Sequence, residues 1–285
     1  MSTNYRAALT GLLGYPVDEN PTGRVMEAAY QALGLSYRYI TMLVRPEDLQ
    51  AAVLGLRAMN YRGVNLTIPH KVAVVPMLDS LSEAAAIIGA VNNITLTDSR
   101  LHGENTDGKG FLRSLRQQGQ DPAGKRLTIL GAGGAARAIA VECALAGARH
   151  LTLINRTQQR GEELRDLIRQ RTQAGCDALP WVPGMAIPGD SQLLVNATSI
   201  GLYPDTQARP DIDYRSLGPG MVACDVVFNP PDTAFLRAAA GQGAATINGL
   251  GMLVNQAAVN FTLWTGQEAP EQLMADTLRK EFGLG

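Results

Sequence analysis

A lysine, an aspartate and a glycine-rich loop carry most of the chemistry legible in this chain. The loop is Gly131-Ala132-Gly133-Gly134-Ala135, preceded by the apolar run RLTIL at 126–130 and followed by a helical stretch of small residues. Strand, glycine loop and helix in that order make a phosphate-binding arrangement. Gly131 can form the tight turn, and Gly133 lets the backbone approach a pyrophosphate. Gly134 and Ala135 leave room at a helix start whose free N–H groups and dipole favour an anion. The competing reading is a glycine turn with no ligand. At the next strand end, NAD-binding chains place an acid that accepts hydrogen bonds from the ribose hydroxyls. Here that position holds Asn155-Arg156-Thr157, with Arg160 following and no acid. Two planar guanidinium forks suit a 2′-phosphate. The expected cofactor is therefore NADP, with NAD possible; the alternative is that both arginines are solvated helix-start residues.

Three further segments place polar residues where apolar runs end. They are Asn65-Leu66-Thr67-Ile68-Pro69-His70-Lys71, then Gly89-Ala90-Val91-Asn92-Asn93, then Asn105-Thr106-Asp107-Gly108. Lys71 and Asp107 form a candidate acid–base pair. A partly desolvated lysine near a carboxylate can take or give a proton at a reacting oxygen. Taken singly, each segment reads as a turn. Together with a dinucleotide loop they point to an enzyme that oxidises a hydroxyl.

The elements that must hold these residues alternate between strands and helices, which is an α/β pattern. Residues 22–33 read as a helix, 37–43 as a strand, and Pro46 opens a helix to about 59. Residues 64–68 form a strand ended by Pro69, 81–88 a helix, and 90–96 a β-branched strand. A second pattern begins near Gly124. Strands are expected at 126–130, 151–155, 192–196 and 221–227, as continuous apolar runs suited to a sheet covered on both faces. Helices run from the glycine loop to about 146, and from an N-cap at Thr157 to about 171. The Pro/Gly-rich stretch 180–190 reads as a surface connection. Two domains are implied. Two last helices, 249–265 and 270–282, could pack on either.

Composition excludes other classes. The 285 residues balance 25 Lys and Arg against 26 Asp and Glu, with no basic run, so nothing offers a footprint for nucleic acid. No apolar stretch approaches the ~18 residues of a membrane span, and the opening residues lack a signal-peptide pattern. Cys143, Cys176 and Cys224 show no metal or disulfide spacing and fit buried thiols in a reducing cytoplasm. His70, His102 and His150 show no zinc-type pairing, so no metal is expected. The oligomeric state, monomer or homodimer, is not written in the pattern.

In order, GVNLTIPHK, IGAVNN, GENTDGKGF, LGAGGAARA, INRTQQRGEEL, VNATSIGL and INGLGMLVNQAA resemble the shikimate dehydrogenase family over nearly the whole chain. The resemblance implies an N-terminal α/β substrate domain, a Rossmann-like NAD(P)-binding domain and a C-terminal helix returning to the substrate domain. The corresponding boundaries are 1–107, 108–252 and 253–285. It implies reversible oxidation of a ring hydroxyl of shikimate or a related cyclohexane carboxylate to the 3-dehydro ketone. By the same resemblance Lys71 and Asp107 are catalytic. Asn65, Thr67, Asn92 and Gln256 bind substrate, and residues 131–135 hold the pyrophosphate. Asn155, Arg156, Thr157 and Arg160 match an NADP-type pattern. Val226 and Gly249 lie near the nicotinamide, with Asn196, Thr198 and Ser199 close by.

Three departures gather on one chemical feature. The family's opening carries two serines that bind the substrate carboxylate, preceded by a histidine. Aligned without gaps, this chain has Asn20 and Thr22 in place of the serines and Glu19 in place of the histidine. The family's strand-end tyrosine, which also serves the carboxylate, is Phe228, and Asn93 stands where threonine is usual. A site built to hydrogen-bond one group discriminates strongly against ligands that lack it. The alternatives are a diverged paralogue acting on quinate or an amino or otherwise modified analogue, a non-catalytic ligand sensor, or the same carboxylate held by Asn20 and Thr22 in another geometry.

Overall fold

The computed structural model describes residues 5–18 and 20–284, so the expectation placed on Glu19 lies outside the described residues. The chain forms two compact units, Met1–Thr106 with Val254–Gly285, and Asp107–Leu253.

The first unit runs β1 (Ala8–Gly14), α1 (Thr22–Ala32), β2 (Tyr37–Leu43), α2 (Leu49–Ala58), β3 (Gly63–Leu66), α3 (His70–Ala73), β4 (Ser80–Leu81), α4 (Glu83–Ile88), β5 (Asn93–Thr97) and β6 (Arg100–Glu104). The sheet order is β2-β1-β3-β5-β6-β4. Strands β2, β1 and β3 are parallel, while β5 is antiparallel to both β3 and β6. One core packs Leu13, Val64, Leu66, Ile94 and Leu101 from the strands against Leu49, Val53 and Leu56 of α2. Those three α2 positions are spaced i, i+4, i+7, the apolar stripe of a surface helix. Ser82 caps α4 by accepting from Ala85 N–H at 3.1 Å, and Gly89 closes it at φ +71°.

The second unit begins with α5 (Thr106–Gln117), whose first residue belongs to the first unit. It continues through β7 (Arg126–Leu130), α6 (Gly134–Leu145), β8 (His150–Asn155), α7 (Gln158–Arg171), β9 (Gly175–Pro180), β10 (Met185–Ala186), β11 (Leu193–Asn196), β12 (Ile212–Asp213), β13 (Val222–Asp225), α8 (Ala234–Ala240) and β14 (Ala245–Ile247). The large sheet is ordered β14-β13-β11-β7-β8-β9 with all pairings parallel. Chain order therefore reverses between β7 and β11. Open parallel sheets bind ligands outside the carboxyl ends of the strands at such a reversal. The apolar runs are buried as a sheet covered on both faces demands: Leu127, Ile129, Leu130, Leu151, Leu153, Ile154, Leu193, Leu194 and Val195 have almost no exposure.

The last helices are α9 (Leu250–Thr265) and α10 (Glu271–Glu281). From Val254 onward they belong to the first unit, where α10 packs on α1. Phe261 stacks on Tyr30 with ring centroids 5.5 Å apart, and Trp264 donates from Nε1 to the Ile94 carbonyl at 3.1 Å. Helical periodicity could not assign these helices to a unit. These buried aromatic contacts do, and the returning helix matches the expected fold class.

Several local expectations shift for identifiable reasons. The helix expected from Pro46 begins as a 3₁₀ turn over Pro46–Asp48. The strand expected at 90–96 starts only at Asn93, just after the Asn92 side chain turns to Thr106. The strand expected at 221–227 stops at Asp225, whose Oδ1 takes the Val227 N–H at 3.0 Å. Thr157 occupies the N-cap position of α7 but makes no side-chain capping bond. The 180–190 connection contains β10, paired with β12. Strands β1, β6, β9 and β14 and helices α5 and α8 are additions to the sequence reading. Gly108 and Gly110 weaken the helical signal of α5, and α8 has only 7 residues.

Candidate active site

In the first unit the polar segments converge because strand directions bring them to one sheet edge. Parallel β1 and β3 both end there, antiparallel β5 starts there, and β6 ends there. Thr67 N–H donates to the Leu13 carbonyl at 3.0 Å, and Tyr15 N–H to the Ile68 carbonyl at 2.9 Å. Lys71 follows on α3, half-buried. Its carbonyl accepts Val91 N–H at 2.8 Å, which ties the lysine's turn to the residue before Asn92. His70, fully buried, is bonded through Nε2 to the Val44 carbonyl at 2.8 Å and so braces the same turn.

Asn92 is anchored twice. Its carbonyl accepts from Leu66 N–H and from Asn65 Nδ2, and its Oδ1 accepts the Thr106 N–H at 2.7 Å. A backbone N–H can only donate, so the orientation of the Asn92 amide is settled. The Thr106 hydroxyl lies 2.8 Å from Asn260 Oδ1 and 3.2 Å from Asn92 Oδ1. Asn93 Nδ2 donates to Asn260 Oδ1 at 2.8 Å, and Asn260 Nδ2 donates to Gln256 Oε1 at 3.2 Å. Gln256 is half-buried on α9, one helical turn before Asn260. At the start of α1, Asn20 Oδ1 accepts the Thr22 N–H at 2.9 Å, so the amide group is the donor end of Asn20.

In the second unit the glycine loop stands at the carboxyl end of β7. Gly131 has φ +106°, and a side chain there would come within 3.1 Å of the Ala197 carbonyl and of Thr198, on the crossover from β11. Gly133 is the N-cap of α6, and the first intrahelical bond runs from Arg137 N–H to Gly133 at 2.9 Å. The N–H groups of Gly134, Ala135 and Ala136 therefore have no intrahelical acceptor. A Cβ built on Gly133 or Gly134 meets no atom within 4 Å, so it would occupy only the open space in front of the helix. That cradle fits a pyrophosphate. Beyond β8, Asn155 Nδ2 donates to the Thr157 carbonyl at 2.8 Å. Arg156, Thr157 and Arg160 are exposed, and among the described residues neither arginine has an ion pair.

Val226 and Gly249, singled out together in the sequence, do meet. A Cβ on Gly249 would lie 2.6 Å from the Val226 carbonyl and 2.5 Å from that of Val227, so only glycine permits this approach. Lys71, Thr67, Asn92 and Gln256 all lie in the first unit, with Asn20 and Thr22. Asp107, half-buried, opens the second unit immediately after Thr106, and Phe228, also half-buried, follows β13 in that unit.

Two expected ligands have amides engaged within the protein. Asn196 is fully buried. Its Nδ2 donates to Asp225 at 3.0 Å and to the Ile200 carbonyl at 3.3 Å, while its Oδ1 accepts from the Thr198 hydroxyl at 2.6 Å. These bonds shape the loop after β11. Asn65 accepts the Tyr39 hydroxyl at 3.0 Å and donates to the Asn92 carbonyl at 3.1 Å, so most of its amide braces the edge. Residues missed by sequence reasoning are Asn260, one helical turn from Gln256, and Asp225. Asp225 is buried and accepts from Asn196, Val227 N–H and the Thr233 hydroxyl at 2.7 Å. Burial pushes its pKa up from 3.8 to about 6 despite these three donors.

Comparison with known proteins matches residues 12–94 to the shikimate dehydrogenase substrate binding domain and residues 249–279 to the shikimate 5′-dehydrogenase C-terminal domain. Shikimate dehydrogenase (NADP(+)) of Desulforamulus reducens is 41% identical over 99% of this chain and 98% of its own. The ligand-free crystal structure of 5-ketofructose reductase from Gluconobacter sp. strain CHM43 superposes with a TM-score of 0.94 at 46% identity, covering 97% of this chain and 99% of that one. Shikimate 5-dehydrogenase from Listeria monocytogenes, solved with shikimate and NAD, superposes with a TM-score of 0.90 at 33% identity, covering 95% and 96%.

Asp225 makes the pH response of stability testable. A folded-state pKa raised above the unfolded value means that the folded chain holds the extra proton between about pH 4 and 6. Stability contributed by this group is therefore present below pH 4 and lost as pH rises to about 6. The shift corresponds to about 3 kcal/mol. Relative to the parent, Asp225→Asn should gain unfolding free energy as pH goes from 4 to 7, by up to about that amount. Urea titrations at the two pH values check it; a difference independent of pH refutes the raised pKa.

Proposed function

The chain belongs to the shikimate dehydrogenase family, and on that premise we propose that it catalyses the reversible, NADP-dependent oxidation of a ring hydroxyl of shikimate, or of a related cyclohexane carboxylate, to the 3-dehydro ketone. The observation that carries this reading is the placement of Lys71. A lysine able to exchange a proton is locked through its own carbonyl to Val91, beside Asn92 and Thr67 on one sheet edge. Neutral polar side chains around one lysine suit a polyol with a single reacting hydroxyl. Bound nicotinamide supplies a two-electron hydride acceptor. In that direction Lys71 Nζ takes the hydroxyl proton, and in the reverse direction it returns the proton to the carbonyl oxygen. Asp107 orients the reacting hydroxyl. Thr67, Asn92 and Gln256 hold the other ring oxygens. The α6 N-terminus and Gly133 receive the pyrophosphate, and Arg156 with Arg160 receives the 2′-phosphate. A sensor would have no need of the Lys71 and Asp107 pair, and the named relatives are enzymes. Three free, buried cysteines support a reducing compartment, the cytoplasm. No helix among the described residues is long and apolar enough to cross a membrane.

A second reading is favoured by a specific observation. All three positions where the family usually serves the substrate carboxylate are changed, to Asn20, Thr22 and Phe228. Asn20 has turned its oxygen to the backbone and offers an amide, and Phe228 offers no hydroxyl. The 46% identical Gluconobacter protein is named for reducing 5-ketofructose, a polyhydroxy ketone with no carboxylate. On this reading the same proton and hydride transfer acts on a neutral keto sugar.

Three measurements separate and test these statements. Shikimate, quinate and 5-ketofructose, each assayed at 340 nm with both cofactors, identify the substrate. A shikimate kcat/KM of about 10⁴–10⁸ M⁻¹s⁻¹ supports the first reading; a value for 5-ketofructose at least about 100-fold higher supports the second. Lys71→Ala should lower kcat by roughly 10²–10⁴, and near-normal turnover removes the lysine from proton transfer. Arg156→Ala should raise KM for NADP at least about tenfold more than KM for NAD, as loss of a charge-assisted contact demands. Equal effects on both cofactors refute the 2′-phosphate clamp.

A further inference from the structure

Taking Gln256 as a substrate ligand, as proposed above, we infer that Asn260 is a positioning residue that sets which end of the Gln256 amide meets the substrate. Asn260 is fully buried. Its Oδ1 receives two donors, Asn93 Nδ2 at 2.8 Å and the Thr106 hydroxyl at 2.8 Å. Both lone pairs of that oxygen are thereby filled. Its Nδ2 is left to donate, and it donates to Gln256 Oε1 at 3.2 Å. With its oxygen held, Gln256 presents Nε2 as its outward group, a pure donor. The substrate oxygen it meets must therefore accept, through a hydroxyl lone pair or a carbonyl. A hydroxyl held in that way keeps its own proton for another acceptor.

The arrangement also accounts for Asn93, where the family usually has threonine. Asn93 supplies one of the two donors that commit Asn260 Oδ1, and its own Oδ1 accepts from the Thr95 hydroxyl at 3.3 Å. Asn93, Asn260 and Gln256 thus form one relay from strand β5 through helix α9 to the substrate. Burial makes the polarity of the relay costly to reverse, since any mismatched amide leaves a buried group unpaired.

Asn260→Asp reverses the last link. The introduced carboxylate still accepts from Asn93 and Thr106, but it has no N–H for Gln256 Oε1. Gln256 must turn and donate its Nε2 inward, presenting an oxygen to the substrate. With whichever of shikimate, quinate and 5-ketofructose the panel identifies as substrate, KM should rise about tenfold, the scale of one misdirected hydrogen bond. KM for NADP should stay within about twofold. In a Gln256→Ala background the same substitution should change KM by less than about twofold. If the buried carboxylate prevents folding, Asn260→Ser, too short to reach Gln256, should give the same selective rise in KM. Parental KM in both variants, or an equal rise with and without Gln256, overturns the positioning role. A Gln256→Ala enzyme with parental KM instead removes Gln256 as a ligand, a distinct failure read from a different protein. A merely structural role for Asn260 would lower thermal stability and disturb both KM values together.

Discussion

The hydrogen bond from Thr106 N–H to Asn92 Oδ1, 2.7 Å long and buried, is the contact on which the catalytic edge depends. It adds a side-chain tie where the entry of β5 already pairs with the exit of β6, through Asn92 N–H donating to the Glu104 carbonyl at 3.1 Å. It also gives a partner to the first N–H of α5, which no intrahelical acceptor can reach. Losing a buried partner of this kind costs roughly 1–3 kcal/mol. Its geometric effect is larger than its energy. It fixes the amide of Asn92, sets the start of α5 and therefore the position of Asp107 in the chain, and aims the Thr106 hydroxyl at Asn260. Through Asn260 the same bond reaches helix α9 and Gln256. A neutral network of amides and one hydroxyl thus does for the first unit what a metal or an ion pair does elsewhere: it allows one arrangement and penalises the others.

The second unit solves a different problem. Its ligand end must present unpaired N–H groups to an anion, and the loops that carry them still need anchoring. The anchor is Asp225, buried beneath the loops after β11 and β13 and held by Asn196, Val227 and Thr233. Burying a carboxylate is unfavourable, which is why its pKa sits near 6. Three donors offset part of that cost and leave the loop geometry rigid. Gly249 adds a second fixed contact by resting on the carbonyls of Val226 and Val227. The exposed arginines at 156 and 160 operate on another principle. In solvent a single charge pair contributes little, so the proposed recognition of a 2′-phosphate there rests on a fork of donors matched to the phosphate.

Much of this was legible in the chain. The α/β alternation, the strands at 126–130 and 151–155, the glycine loop and the candidate pair Lys71 and Asp107 are local signals of residue type and spacing, whereas Thr67, Asn92 and Gln256 stood out as ligands only through the family resemblance. Strand β1 escaped because a short run with central glycine and threonine resembles a turn, and α5 because two glycines dilute its helical pattern. Asn196 illustrates a general ambiguity. A polar residue at a strand end can face a ligand or brace a loop, and both leave the same sequence trace. Asn260 carried a signal, one helical turn from Gln256, but a buried asparagine on a helix has no meaning until its partners are known.

By itself the sequence determined which groups the chain carries: a lysine and an aspartate where apolar runs end, polar amide segments, a glycine loop suited to a phosphate, and Asn20, Thr22 and Phe228 where the family usually differs. These are properties of residue types and short-range spacing, which survive in any fold that keeps the elements. Tertiary structure alone decided how those groups are oriented and which are spent on the scaffold. An amide has a donor end and an acceptor end, and partners that only the fold brings together, Asn92 with Thr106, Asn93 with Asn260, Asn196 with Asp225, help choose between them. Burial then makes the choice binding, because inside the protein a reversed amide finds no water to repair its hydrogen bonds.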